Sequence, residues 1–366
     1  MTALTYLSLR CVLEYLEANR RLQITARSRV LSRIDKSVPF HISLLRFTDD
    51  EVTVNDITYS FGERYLFVPE TPENMRKKIK RLMDGGDILL EDDDILRRVI
   101  HITYSTGNLR FNGRDLSDGV KKGVEIRQFA CHALEGRKTI KMTYLRIDNT
   151  FEKELRVPEN LKLYVQKVRS YGTNMINLVN ILDPQCLPLE SFETSVWFPS
   201  YYRENQIVAN AKTLILHGDG FASQIIDWHP TLLTVSNQHV ETKDIRLRGA
   251  QIREIVQKFM NNPDFKPIGS SYSVQYLYDL SIEKLLRKTK NRFNGVFVTL
   301  KEIPKCPPTS QVVCVPLNSD KDLIMYRYAG REVNIHWIKL ELIETGSCIP
   351  NVEDTSLFRI PWHYLL

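Results

Sequence analysis

Paired cysteines are missing from this sequence of 366 residues. Six cysteines, Cys11, Cys131, Cys186, Cys306, Cys314 and Cys348, are scattered singly, and no two stand in C-x-x-C spacing. No Cys/His cluster has the spacing of a zinc site. No asparagine opens an N-x-[ST] glycosylation acceptor. These absences argue against a disulfide-stapled secreted scaffold and favour a reducing, intracellular compartment, cytoplasmic or nuclear. No apolar run approaches the ~20 residues of a membrane span. Thr5 to Leu9 is partly apolar, but Arg10 interrupts it and no small-residue cleavage site follows, so a secretory signal is not expected. G-x-S-x-G elbows, H-E-x-x-H pairs, P-loops and dinucleotide glycine motifs are also missing, which removes the commonest hydrolase, metalloprotease and nucleotide-binding signatures.

What is present is ordinary globular usage: 43% hydrophobic and 26% charged residues, enough for a sizeable core. The length allows two or three packed units. A net charge of +6 arises from 50 basic and 44 acidic residues that are interspersed. Interspersion argues against a nucleic-acid surface, which needs clustered charge.

Leu9, Val12, Leu13 and Leu16 recur at i, i+3, i+4 and i+7, the pattern of one helical stripe. Val30, Leu31 and Ile34 form a second, shorter stripe among Arg27, Arg29 and Arg33, and Pro39 closes the region. From Phe40 the period falls to two. His41 to Phe47 and Glu51 to Phe61 read as strands, with Asn55-Asp56 turning between Val54 and Ile57. Residues 70–83 return to a helical pattern. Short strands then recur at Leu161-Leu163, Leu189 to Val196, Leu214-Leu216 and Ile245-Leu247. Helical stretches separate them at a period of 20–30 residues, the alternation of a leucine-rich-repeat type of solenoid. A helix over 277–290 is followed by strands at Val296 to Leu300, Val312 to Val315, Leu323 to Tyr328 and Val333 to Leu342. The tail after Thr345 reads as loose.

The candidate chemical groups have ordinary local explanations. His217-Gly-Asp219-Gly reads as a turn after a strand. Asp227 and His229 read as a helix end, and Cys131 and His132 are mere sequence neighbours. No catalytic site, cofactor or metal site is expected. The basic runs at 76–81 and 287–292 read as solvated helix faces, the second complementing a helix C-terminus.

The run "SLRCVLEYLEANRRLQITARSRVLSRID" resembles an F-box: a leucine-rich start, "VLEYLE" as first helix and "RVLSRID" as closing helix. The matching positions are Leu9, Val12, Leu13, Leu16, Val30, Leu31 and Ile34. The place that usually holds Leu-Pro carries Tyr6-Leu7-Ser8. Beyond it, "RIDKSVPFHISLLRF", "VNDITYSFG" and "VANAKTLILHG" are similar to the expanded nematode families of F-box-like proteins with an associated domain of largely unknown function. The resemblance implies a substrate-recognition adaptor. Those seven residues would bind the Skp-type linker of a cullin–RING ubiquitin ligase, and the remainder would hold a target protein.

The expected fold class is therefore α/β. Short F-box-like helices (1–39) lead through a connecting region (40–123) to a degenerate leucine-rich-repeat-like solenoid (124–291) and a small C-terminal antiparallel β unit (292–366). The expected activity is binding, with no chemistry, no nucleic acid and no membrane. A repeat-type interaction scaffold without a ligase link is the alternative reading.

Overall fold

The computed structural model describes residues 6–26, 28–48, 51–62, 88–90, 98–104, 133–148, 161–171, 178, 180–195, 205–218, 228–276, 281–300, 311–328 and 337–350. The chain divides into two compact units, Met1–Leu189 and Glu190–Leu366.

The first unit begins with three short helices, α1 (Tyr6–Tyr15), α2 (Ala18–Ala26) and α3 (Arg29–Lys36). The Glu17 carboxylate accepts from the Asn19 and Arg20 backbone N–H groups, which starts α2. Ser28 caps α3 by accepting from Leu31 N–H. The strands are β1 (Phe40–Phe47), β2 (Glu51–Val54), β3 (Ile57–Gly62), β4 (Ile88–Leu90), β5 (Arg98–Tyr104), β6 (Ile140–Ile147) and β7 (Leu163–Tyr171). Their order is β4-β5-β3-β2-β1-β6-β7. β1, β6 and β7 run parallel, whereas β1, β2, β3, β5 and β4 are joined antiparallel. β1 and β6 bury alternate residues, as period-2 sequences with one core face should. The β2–β3 turn falls on Asn55-Asp56, with Asn55 at φ +53°. Asn55 suits this left-handed position because its amide replaces lost backbone partners: its oxygen accepts from Ser43 and Leu44 N–H.

The second unit carries β8 (Ser191–Ser195), α4 (Gln206–Asn210), β9 (Thr213–His217), α5 (His229–Leu232), β10 (His239–Leu247), α6 (Gly249–Asn261), β11 (Ser271–Tyr276), α7 (Ile282–Arg292), β12 (Val296–Leu300), β13 (Val312–Pro316), β14 (Lys321–Tyr328), β15 (Trp337–Glu344) and β16 (Cys348–Pro350). The order is β8-β9-β10-β11-β15-β14-β13-β12-β16. β8 to β11 are parallel and the remaining pairs antiparallel. Phe192, Leu214, Leu216, Val240, Tyr272 and Val274 form the buried face. Helix α6 covers part of it with Ile252, Ile255, Val256 and Phe259, spaced i, i+3, i+4 and i+7. Phe259 meets Tyr272 edge-on at 5.7 Å, and the Tyr272 hydroxyl donates to the Leu232 carbonyl at the end of α5. Buried Asn237 donates to the Val208 and Ala211 carbonyls, so the end of α4 is closed by a side chain.

This architecture overturns the expected fold class. Both units are built on mixed sheets with few, short helices among the described residues, so the chain is neither a helix-rich F-box head nor a strand–helix solenoid. A solenoid requires every repeat to continue one parallel stack. Here β15 returns antiparallel against β11, and a hairpin strand pairs antiparallel with β1. The strands after residue 292 are no separate β unit, because β15 pairs with β11. The period misled because parallel strands joined by helical crossovers generate the same alternation whether or not they close a solenoid. The tail also differs from expectation, as Cys348–Pro350 pairs with β12. The helix read over 70–83 and the basic run at 76–81 lie outside the described residues.

Candidate protein-docking surface

The surface most unlike the rest of the chain lies on α1 to α3. Tyr6, Leu7, Val12, Tyr15, Ile24 and Val30 are exposed. The only other exposed large hydrophobics among the described residues are Tyr164, Leu187, Ile268 and Ile349, each isolated in sequence. The first six fall on three consecutive short helices, which makes this head the candidate for an interaction surface, since contiguous exposed apolar surface marks such sites.

Helix α1 is apolar on two sides. Leu13 is 2% exposed, and Leu9 and Leu16 beside it are half-buried. These three face the first unit at i, i+4 and i+7. Leu7, Cys11 and Tyr15, at i, i+4 and i+8, share the opposite arc, and Val12 is exposed at the border of the inner stripe. Leu7 is 71% and Tyr15 89% exposed. The seven positions identified from sequence are therefore split. Leu13 belongs to the core; Leu9, Leu16, Leu31 and Ile34 are half-buried; Val12 and Val30 face solvent. The stripe rule found the inner face and missed Leu7, Cys11 and Tyr15. The signal that would have revealed them is a second apolar run at spacing four on the same helix.

Buried charge fixes this head against the sheet. Asp35, at 1% exposure, accepts from Arg21 Nε at 2.7 Å through one oxygen, which also forms an ion pair with Arg21 Nη2 at 2.6 Å, and from Arg137 through the other. Arg21 also donates to the Pro39 carbonyl at 2.7 Å, and Arg137 to the Ala133 carbonyl at 2.6 Å. Both guanidiniums lie over the Phe40 ring, at 5.0 and 4.0 Å. Burial pulls the Arg137 guanidinium down from its ordinary value, while Asp35 opposes that shift. The arrangement satisfies a buried carboxylate with two planar forks, the geometry that arginine provides and lysine does not. On the outer side Arg29 and Arg33 are exposed beside Val30, giving the apolar patch a basic border.

The chemical candidates are placed elsewhere. His217 ends β9, and its Nε2 meets the Glu193 carboxylate of β8. Its Nδ1 is 3.9 Å from Asp244 Oδ2, and Lys243 Nζ is 3.4 Å from Glu193 Oε1. Asp244 holds φ +59° in an irregular stretch of β10. The sequence reading missed this grouping because its members are far apart in the chain. In-register parallel strands align residues one repeat apart, so the strand period itself was the available signal. His229 is separate, 3.1 Å from Glu254 on α6. His239 Nδ1 lies 3.0 Å from Ser271 Oγ, and burial lowers its pKa. Cys131, His132, Asp219 and Asp227 lie outside the described residues. Among the described residues no group of three or more His, Cys, Asp or Glu side chains could hold a metal ion, and no helix is long and apolar enough to cross a membrane.

No curated protein matches the chain. A family model does: residues 126–277, the segment from β6 to β11 that contains most of the parallel strands, match a domain of unknown function, DUF3557.

Proposed function

We propose that the chain is a protein-binding adaptor with no chemistry of its own. Helices α1 and α3 dock a Skp-type linker of a cullin–RING ubiquitin ligase, and the segment over 126–277 helps hold a target protein inside the cell. The observation that carries this reading is the two-sided α1. A helix apolar on its inner and outer arcs has one face for its own domain and a second for a partner, and such stripes are used in helix-in-groove recognition. The choice of partner rests on the sequence resemblance of the run from Ser8 to Asp35 alone. The DUF3557 match begins after the head and names no activity.

The test is co-expression of the full chain with a Skp-type linker, followed by purification on a tag carried by the chain. Stoichiometric co-elution supports the adaptor. Recovery of well-folded chain without linker rejects it.

A second reading, an interaction scaffold without a ligase link, is favoured by one observation. Leu13 and the Arg21–Asp35–Arg137 network commit much of the head to its own unit. It predicts that the outer patch binds some other protein while the linker does not co-elute.

A further inference from the structure

Three parallel strands of the first unit repeat one burial pattern. Over residues 40–47 of β1, 140–147 of β6 and 163–170 of β7, the first, third, sixth and eighth positions are buried and the others are exposed or half-buried. The seventh position is arginine in all three: Arg46, Arg146 and Arg169. Register makes them neighbours, Arg46 beside Arg146 and Arg146 beside Arg169. Adjacent strands lie about 4.8 Å apart, so the outer face of the sheet carries a row of arginines at that step. Toward the other end of the same face, His41 pairs in register with Lys141, and both are exposed. No aspartate or glutamate stands in any of the three strands. Basic residues that are interspersed along the chain are thus gathered on one face by parallel register. Asp148, one residue past β6, already sits across the row. One of its carboxylate oxygens accepts from Arg46 Nε at 2.8 Å and also from Arg146 Nε. Arg46 and Arg146 nevertheless remain 37% and 30% exposed, so both stay within reach of a second anion.

We propose that this face docks an acidic segment of the target protein, a run of aspartate and glutamate whose carboxylates lie across the arginine row as Asp148 does. The proposal rests on the reading of the segment over 126–277 as a target holder: Arg146 and Arg169 belong to that segment, and β1 adds Arg46 from outside it. Charge complementarity selects the occupant. A face with basic side chains and no acidic strand residue attracts an anion, and opposite charge also steers the encounter. Geometry then selects carboxylates. The basic groups are spread along the strands from His41 to Arg46 instead of converging on one point, so several separate charges match them better than a single phosphate does. The bridging of Arg46 and Arg146 by Asp148 shows that a carboxylate fits between neighbouring strands, and planar arginine forks suit that group. A single-stranded nucleic acid fits less well. Tyr164 is the only exposed aromatic residue among the described side chains of the three strands, and stacking platforms use several.

The experiment measures, by fluorescence anisotropy, the binding of a labelled peptide of alternating aspartate and glutamate to the full-length chain with no linker present. The controls are the same peptide made of asparagine and glutamine, and a single-stranded oligonucleotide of equal net charge. The expected result is saturable binding of the acidic peptide that weakens as salt rises, with the neutral peptide not bound and the oligonucleotide bound less tightly. Arg146→Gln and Lys141→Glu, compared with wild type at matched melting temperature, should each weaken binding about tenfold, the scale of one charge-assisted hydrogen bond. Lys141 is exposed, so its variant keeps the test decisive if Arg146→Gln proves unstable. Asp148→Asn removes the resident carboxylate and should tighten binding, a gain that a merely structural role for the row does not produce. No binding of the acidic peptide to folded wild type overturns the proposal. So does tighter binding of the oligonucleotide, unchanged affinity in Lys141→Glu, or weaker binding in Asp148→Asn. Because the linker is absent, these outcomes are independent of whether the head docks one.

Discussion

At the scale of single residues, two buried charges carry opposite consequences. Asp35 is enclosed by two guanidiniums, so removing its charge leaves both cations buried without a counter-ion. Asp35→Asn keeps the shape and should cost about 3–5 kcal/mol, the range for breaking one partner of a buried pair. Urea unfolding measures it, and a loss under about 1 kcal/mol would show that the network adds little. Lys266 is the reverse case. It is fully buried, donates to the Asn237 carbonyl, and lies 4.4 Å from the Tyr272 ring. Burial brings its pKa from 10.5 down to about 7. The unfolded chain therefore binds more protons between those values, and stability contributed by this group rises with pH from about 7 to about 10.5. Below about 7 both states are protonated and the full penalty persists. Lys266→Met should flatten this rise, as read from unfolding midpoints at pH 7 and pH 10. An unchanged slope in the variant would assign the pH dependence to other groups.

At the scale of elements, α1 and the β2–β3 hairpin show what pattern can and cannot reveal. Tyr15→Asp and Leu13→Asp put the same charge on the same helix, but on opposite arcs. Tyr15→Asp should leave the melting temperature within about a degree or two, as surface changes stay within about 0.5 kcal/mol. Leu13→Asp should destabilise by several kcal/mol through an unpaired charge in an apolar contact. Similar thermal shifts in the two variants would contradict the inward and outward assignment. At Asn55, Gly accepts the left-handed backbone and Ala does not, a difference of about 1–2 kcal/mol. Asn55→Ala should thus unfold at lower urea than Asn55→Gly, and the reverse order would mean that the backbone is not held there as described. This hairpin was legible because Asn-Asp between two alternating runs is local chemistry. The limits of β1, β12 and β13 were also close to their sequence limits, because β1 alternates apolar and polar residues and β12 and β13 are short apolar runs bounded by turn residues. Strands β6 and β11 were missed. Ile140–Ile147 has the same burial pattern as β1, so its signal was local, whereas Ser271–Tyr276 mixes Ser and Gln with apolar residues and takes its strand character from neighbours distant in sequence.

At the scale of the whole molecule, sequence spacing found strands without finding how they pair. Leu214 and Leu216 pair in register with Val240 and Thr242 across parallel strands, while Leu247 lies beyond that register, and the antiparallel return of β15 onto β11 leaves no periodic trace. The docking surface was half legible for a related reason. An apolar stripe marks a face that is covered, and the sequence does not say whether its cover is the same chain or another. The structure assigns Leu13 to the chain's own core and leaves Leu7, Val12, Tyr15 and Val30 uncovered among the described residues. The account stands or falls on whether that outer face holds the proposed partner. The direct measurement is calorimetric titration of a purified Skp-type linker into the full-length chain, its Tyr15→Asp variant and its Val30→Asp variant, each first shown to melt as wild type does. The account predicts saturable binding to the wild type and a loss of about tenfold or more, ~1.4 kcal/mol, in each variant. No heat of binding with the folded wild type, or equal affinity in all three proteins, would contradict it.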